Sequence, residues 1–368
     1  MFVVHAALRT ALSVAAVLIL AFILTAAASS AYKRERIALG EAHFNRAEWS
    51  AGHGRLNDAL EEYRQSLLFS PDDKRYRQSL GIALMNAGHL TEAEAHLNQL
   101  LQEDPTNGRI NLALARIAAK RGNKADAIES YQRAVYEYWP ASQISERRQA
   151  RWELVGLLEN ERRYSEVVGE LIQLYASSPN DPEERSRIGL ALLKYGAVSE
   201  AAEVFTALER KFPGEAHGHR GLAEVDMSLG TYVAARHEFQ HALRLDPNDR
   251  ESAAGLSLTN SVIDLDPALA GISSAERLRR SENLLTRVLN DLDECSANRG
   301  SRSQASSEPA QQLELARKML ADKRARGDDP NLTLQQTALK LWQSRLTLCG
   351  VMAPPDRATE LALAQVRQ

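Results

Sequence analysis

The chain has 368 residues, 25% charged and 44% hydrophobic, with 45 basic and 48 acidic side chains giving a net charge of −3. These proportions exclude a chain disordered throughout and a polytopic membrane protein, and the balanced charge offers no basic field for nucleic acid. The 20 glycines and 12 prolines are too few for a collagen-like or turn-rich all-β chain. The two cysteines suffice for one bridge but not for a disulfide framework or a four-cysteine zinc site.

Residues 10–32 carry no charge, with the densest apolar stretch at Ala11–Leu24. A helix of that length crosses the roughly 30 Å hydrocarbon layer, so a single-pass membrane segment is expected over 10–32. Two readings stay open. A signal anchor would remain in the bilayer, whereas a signal peptide would be cut at Ala26-Ala27-Ala28 or Ser29-Ser30-Ala31. Arg9 before the run and Lys33, Arg34 and Arg36 after it favour a cytoplasmic body. The Ala/Ser-rich exit and the cysteines favour an extracytoplasmic one, which is the placement expected here.

Beyond this segment the chain repeats. Pro71, Pro105, Pro179, Pro213 and Pro247 are separated by 34, 74, 34 and 34 residues, so one unit is six residues longer. Seventeen residues before the proline phase stand Gly54, Gly88, Gly122, Gly196 and Gly230. Twelve before it stand Ala59, Ala93, Ala127, Ala201 and Ala235, and twenty-four before it the small residues Ala47, Gly81, Ala115, Gly189 and Ala223. Four after the alanine phase come Tyr63, Leu97, Tyr131, Leu171, Phe205 and Phe239. Each position has a physical reason. Two antiparallel helices cross closely only where the small residues meet. The glycine closes the first helix in a left-handed conformation, and the proline stops the second. The bulky residues fill the space between stacked units.

This pattern resembles the tetratricopeptide repeat (TPR) family. NAGHLTEAEAHLNQLLQEDP, KYGAVSEAAEVFTALERKFP and SLGTYVAARHEFQHALRLDP carry the resemblance most clearly. It covers six units, 40–73, 74–107, 108–147, 148–181, 182–215 and 216–249. The fourth departs most, with Arg162 in the glycine phase and Val167 in the alanine phase. The long third unit ends in YEYWPASQISERR, where a local extension of its second helix is expected.

Past Pro247 the period stops. A helix over 250–263 is expected to cover the last repeat, followed by helices over 274–294, 310–326, 332–348 and 356–366 and a flexible loop over 296–309. If the 310–326 helix runs opposite to its neighbours, the helices that end at Cys295 and Cys349 run parallel and bring the cysteines to one side. A bridge there closes a 55-residue loop and adds about 4 kcal/mol in the chain-entropy account. Two reduced, buried thiols are the alternative. The expected organisation is an N-terminal segment and junction over 1–39, repeats over 40–249 and a helical C-terminal domain over 250–368. The fold class is all-α, a TPR-type solenoid.

No GxSxG, P-loop, HExxH, CxxC or GxGxxG pattern occurs. His237 and His241 share one helix face, but zinc needs a third ligand, and Glu238 is placed elsewhere on the helix. No metal centre, cofactor or catalytic residue is therefore expected.

The resemblance implies a peptide-binding groove lined by the first helix of each repeat. The matching positions are Arg75, Gln78 and Asn86, then Arg109, Arg116 and Lys120, then Arg187 and Lys194, then His217 and Arg220. Family members that clamp a terminal carboxylate need polar residues where this chain has Leu112 and Ala113. The expectation is thus a groove for acidic or extended peptide, in a non-enzymatic scaffold that binds proteins at a membrane. Two alternatives are an assembly factor for envelope protein or polysaccharide machinery, and an enzyme or cofactor-binding activity in residues 264–368.

Overall fold

The computed structural model describes the backbone of residues 2–178, 180–298, 307–349 and 356–367, with side chains for 17–178, 180–294, 311–347 and 356–367. Helices and their connections make up the described residues, which contain no strand. The chain packs as two units, Met1–Val167 and Val168–Gln368.

The first unit opens on α1 (Phe2–Gly52), 51 residues of uninterrupted helix. No glycine or proline occurs before Gly40, so nothing in the sequence breaks the helix between the apolar segment and the first repeat. The hairpin partner of α1 is α2 (Leu56–Phe69), followed by the hairpins α3 (Lys74–Asn86) with α4 (Leu90–Glu103) and α5 (Gly108–Lys120) with α6 (Lys124–Tyr136). Ala59, Ala93 and Ala127 are fully buried, and Tyr63, Leu97 and Tyr131 nearly so. Gly54, Gly88 and Gly122 take left-handed φ of 74°, 86° and 77°.

The six extra residues of the third repeat do not lengthen its second helix, which corrects the expected extension. α6 stops at Tyr136 after 13 residues. The chain then runs extended, with Tyr138 bridged to Asn107 and its carbonyl accepting from Gly108 N. The Trp139 indole is buried and donates to Ala134 O at 2.7 Å. A Cβ on Gly108 would lie 2.1 Å from Nε1 of that indole, so the ring occupies space only glycine leaves open. A short 3-10 turn leads into α7 (Ile144–Asn160), which begins four residues before the expected unit boundary. α8 (Tyr164–Ala176) runs across the division between the units.

The second unit continues with α9 (Pro182–Lys194), α10 (Val198–Lys211), α11 (Ala216–Leu229) and α12 (Tyr232–Leu245). Phe205 of α10 is fully buried, and Cβ atoms on Gly189 and Gly221 would come within 2.5 and 1.9 Å of its ring. One aromatic side chain thus locks three helices, α9, α10 and α11.

Five more helices follow: α13 (Arg250–Leu265), α14 (Ser274–Asn298), α15 (Ser307–Ala321), α16 (Pro330–Cys349) and α17 (Arg357–Val366). They pack onto the last repeat through one apolar core. Tyr232 of α12 and Val262 and Ile263 of α13 join Leu285, Val288, Leu292, Leu341, Trp342 and Leu363 there. Ser281 meets Gln335 at 3.2 Å, and Asp291 meets Arg345 at 2.6 Å. Both pairs are 54 residues apart, so α14 and α16 run parallel in one register. Asp293–Arg317 on α15 and Glu282–Arg326, in the 3-10 turn Lys323–Arg326 that follows it, show the chain running back against α14; the helix expected over 310–326 thus ends at Ala321. Of the loop expected over 296–309, residues 296–298 belong to α14 and 307–309 to α15. Residues 299–306 lie outside the described residues, as do Pro179, Pro354 and Pro355 and the side chains of Cys295 and Cys349.

Candidate functional site

The first helices of the repeats are α1, α3, α5 and α7 in the first unit. α3 touches α5 and α5 touches α7, so they form one layer. Two of these, α3 and α5, and α9 of the second unit owe their start to a further phase, an Asp or Asn two residues after the proline. Asp73, Asn107 and Asp181 cap α3, α5 and α9 by accepting from Arg75 N, Ile110 N and Glu183 N, and Asp249 caps α13 in the same way. Glu215 holds this position before α11 and makes no cap bond, because its carboxylate sits one methylene farther out.

The expected groove residues of the first unit fall on α3 and α5, and most of them are engaged within the protein. Arg75 reaches Asp73 at 3.0 Å and Glu41 at 3.2 Å, and lies over the rings of Phe44 and Tyr76. Burial, then the Glu41 carboxylate that accepts its hydroxyl proton at 2.7 Å, push Tyr76 up to about 12. Arg109 pairs with Glu146 of α7 at 3.3 Å. Arg116 forms a fork on Glu153 of α7, at 2.9 and 2.7 Å, and Tyr131 donates to the same carboxylate at 2.9 Å. Burial opposes the charge on Glu153, yet its hydrogen bond and attraction to Arg116 outweigh that and hold the carboxyl below its usual value. Lys120 donates to Met85 O at 3.0 Å, in the last turn of α3. These cations therefore tie neighbouring helices together across repeats. Gln78 and Asn86 on α3 differ from them: Gln78 is half-buried, Asn86 is exposed, and neither has a partner among the described residues.

In the second unit, Arg187 and Lys194 are exposed on α9, and the Lys194 ammonium lies 5.3 Å from the Tyr195 ring centre. His217 faces Glu215 at 3.8 Å. Arg220 pairs with Asp249 at 3.3 Å and with Glu251 at 2.9 Å, again tying one first helix to the next.

The histidines are arranged differently from the sequence expectation. His241 stacks on His219 at 5.0 Å between ring centres, and His219 Nδ1 lies 2.7 Å from Glu238. Glu238 thus faces the first helix of its own hairpin rather than pointing elsewhere. The same pair recurs as His43 and Glu62, also at 2.7 Å. Both histidines precede the proline phase by 28 residues and both glutamates by 9, so aligning polar residues on the repeat would have found them. No three metal-ligating side chains converge among the described residues.

A cleft of about 570 Å³ opens at the start of α12, walled by Tyr232, Val233, Ile263 and Leu269, with Asp266 and Gln365 in its lining. Burial pushes the Asp266 carboxyl above its usual value, against the opposing effect of the Ala268 N–H it accepts.

A family model for the tetratricopeptide repeat matches residues 79–142, 112–182 and 186–250. The chain is similar to BBSome complex member BBS4 of Bos taurus, 24% identical over 197 residues, which are 52% of this chain and 36% of that protein. It therefore spans about a third of that relative's length. Among solved structures it is similar to YrrB, described as a TPR protein with an unusual peptide-binding site. That match is 16% identical, covers 54% of this chain and 100% of that one, and has a TM-score of 0.40. It is also similar to the C-terminal part of a TPR repeat-containing protein from Cytophaga hutchinsonii, 16% identical, covering 59% and 87%, with a TM-score of 0.44. From Gly81 to Pro247 the family match runs through residues that carry the 34-residue phase, and these fold as helical hairpins closed by left-handed turns. Over residues 79–182 and 186–250, then, the chain is built of tetratricopeptide repeats.

Proposed function

We propose that the protein is a non-catalytic scaffold, tethered to a membrane by its N-terminal helix, that holds a partner as an extended segment on the first-helix face of α3 and α5. Proteins built from this repeat are in general scaffolds that bind other proteins. The observation that carries the finer reading is the contrast between engaged and unengaged polar residues on that face. Arg75, Arg109 and Arg116 have carboxylate partners and Lys120 has a carbonyl, so an acidic ligand would have to displace contacts already made. Gln78 and Asn86 stand about 12 Å apart along α3. Their amides can both donate to and accept from an extended main chain. This favours an extended partner over a specifically acidic one.

Reversing Arg116 to Glu would test folding rather than binding, because it sets two half-buried carboxylates against each other. Gln78→Ala combined with Asn86→Ala keeps the interhelical contacts. At about 1 kcal/mol per lost hydrogen bond, the pair is expected to lower partner recovery from native membranes about tenfold or more, with an unchanged thermal melt. Undiminished recovery would refute the assignment of the face.

We further propose that the body lies on the extracytoplasmic side, with Cys295 bridged to Cys349. The register of α14 and α16 supports this pairing, since Ser281–Gln335 and Asp291–Arg345 share the 54-residue separation of the two cysteines.

A further inference from the structure

We infer that the first repeat rests on the lipid headgroups, its contact edge formed by the collar Tyr32, Lys33, Arg34 and Arg36 of α1 together with Leu68 at the end of α2. The inference rests on the reading of residues 10–32 as a retained membrane span and adds to it the surface that touches lipid.

Three observations meet at this edge. First, α1 is a single helix from the apolar run into the first hairpin, so the height of each residue above the bilayer follows from helical rise. Residues 10–32 extend about 35 Å at 1.5 Å per residue, a little more than the hydrocarbon layer, which brings Tyr32 to its boundary. Arg36 stands about 6 Å higher, at the depth of the headgroups.

Second, α2 returns alongside α1, so its C-terminal end points back toward the bilayer. Arg36 Nη2 donates to Leu68 O at 3.1 Å, which fixes that end at the same height. Third, the side chains there suit an interface. Tyr32 is 64% exposed and Leu68 67% exposed, although both are large and largely apolar. Three cations lie within four residues of each other, at Lys33, Arg34 and Arg36, and Glu35 is the one acid among them. An aromatic ring and cations at one depth, beside an exposed leucine, match a headgroup layer that is apolar below and anionic above. The partner of this surface is therefore an anionic phospholipid bilayer.

Brominated lipids provide the test. Full-length protein is reconstituted into phosphatidylcholine–phosphatidylglycerol vesicles whose acyl chains are brominated close to the headgroup. Tryptophan reporters are introduced as Leu68→Trp and, at the far end of the same helix, as Asn57→Trp. Both positions are exposed, and the emission of the four native tryptophans is subtracted using wild-type protein. The expected result is loss of most of the added emission for Leu68→Trp and little loss for Asn57→Trp. Equal, weak quenching of both in protein that resists an alkaline wash would overturn the docking edge while leaving the span intact. Release of the protein by that wash would overturn the span and the docking together.

Discussion

Arg162 stands where the other repeats have Gly54, Gly88, Gly122, Gly196 and Gly230, and it takes the same left-handed conformation at φ 59°. A side chain there crowds its own carbonyl, at a cost of roughly 1–2 kcal/mol, part of which glycine would return as unfolded-chain entropy. Arg162→Gly is therefore expected to stabilise the protein by about 0.5–1 kcal/mol. Glu215 is the matching departure at a helix start, and Glu215→Asp is expected to add a cap worth about 0.5–1 kcal/mol. Denaturant unfolding of the two variants checks both, and a lower midpoint for either would show that its register has been misassigned. The sequence was informative here because a repeat compares each residue with five others in the same backbone setting. Spacing along one helix misplaced Glu238, because it does not say what the neighbouring helix presents; only the recurrence of the His–Glu pair in phase with the repeat points to His219. The sequence also marked Arg109 and Arg116 as ligand contacts. A side chain's type and phase could not reveal that Glu146 and Glu153 of α7 had already claimed them.

Among the elements, the long third repeat separates what a pattern can supply from what packing decides. Six additional residues can extend a helix or form a separate strap, and both keep the period. The strap prevails because Trp139 finds a buried slot over Gly108 with its indole N–H satisfied, while a longer α6 would leave that ring exposed. The C-terminal helices were legible through their apolar faces, and their directions followed once α15 was seen to run back along α14. The parallel register of α14 and α16 yields a further prediction. Native protein from the membrane fraction is expected to migrate faster on a denaturing gel before reduction than after it. It should also resist thiol labelling until reduced. Labelling of both Cys295 and Cys349 without reduction would contradict the bridge and remove the main support for an extracytoplasmic body.

For the whole molecule, the first unit carries both the helix suited to a membrane and the face proposed for a partner. Arg75, Arg109, Arg116 and Lys120 on that face are committed to holding neighbouring helices together, so under the proposed function partner choice would fall to neutral amides on a preformed surface. Little ordering of the protein would then be needed on binding. The central claim is that this face, and not the opposite one, meets the partner. Photo-crosslinking in the native membrane tests it most directly, with a benzoylphenylalanine probe placed in turn at Gln78, at Asn86 and at the exposed Gln102 on the second helix of the same repeat. The account predicts one discrete adduct from Gln78 and Asn86 and none from Gln102. An adduct from Gln102 alone, or none from any of the three in protein correctly held in the membrane, would contradict it.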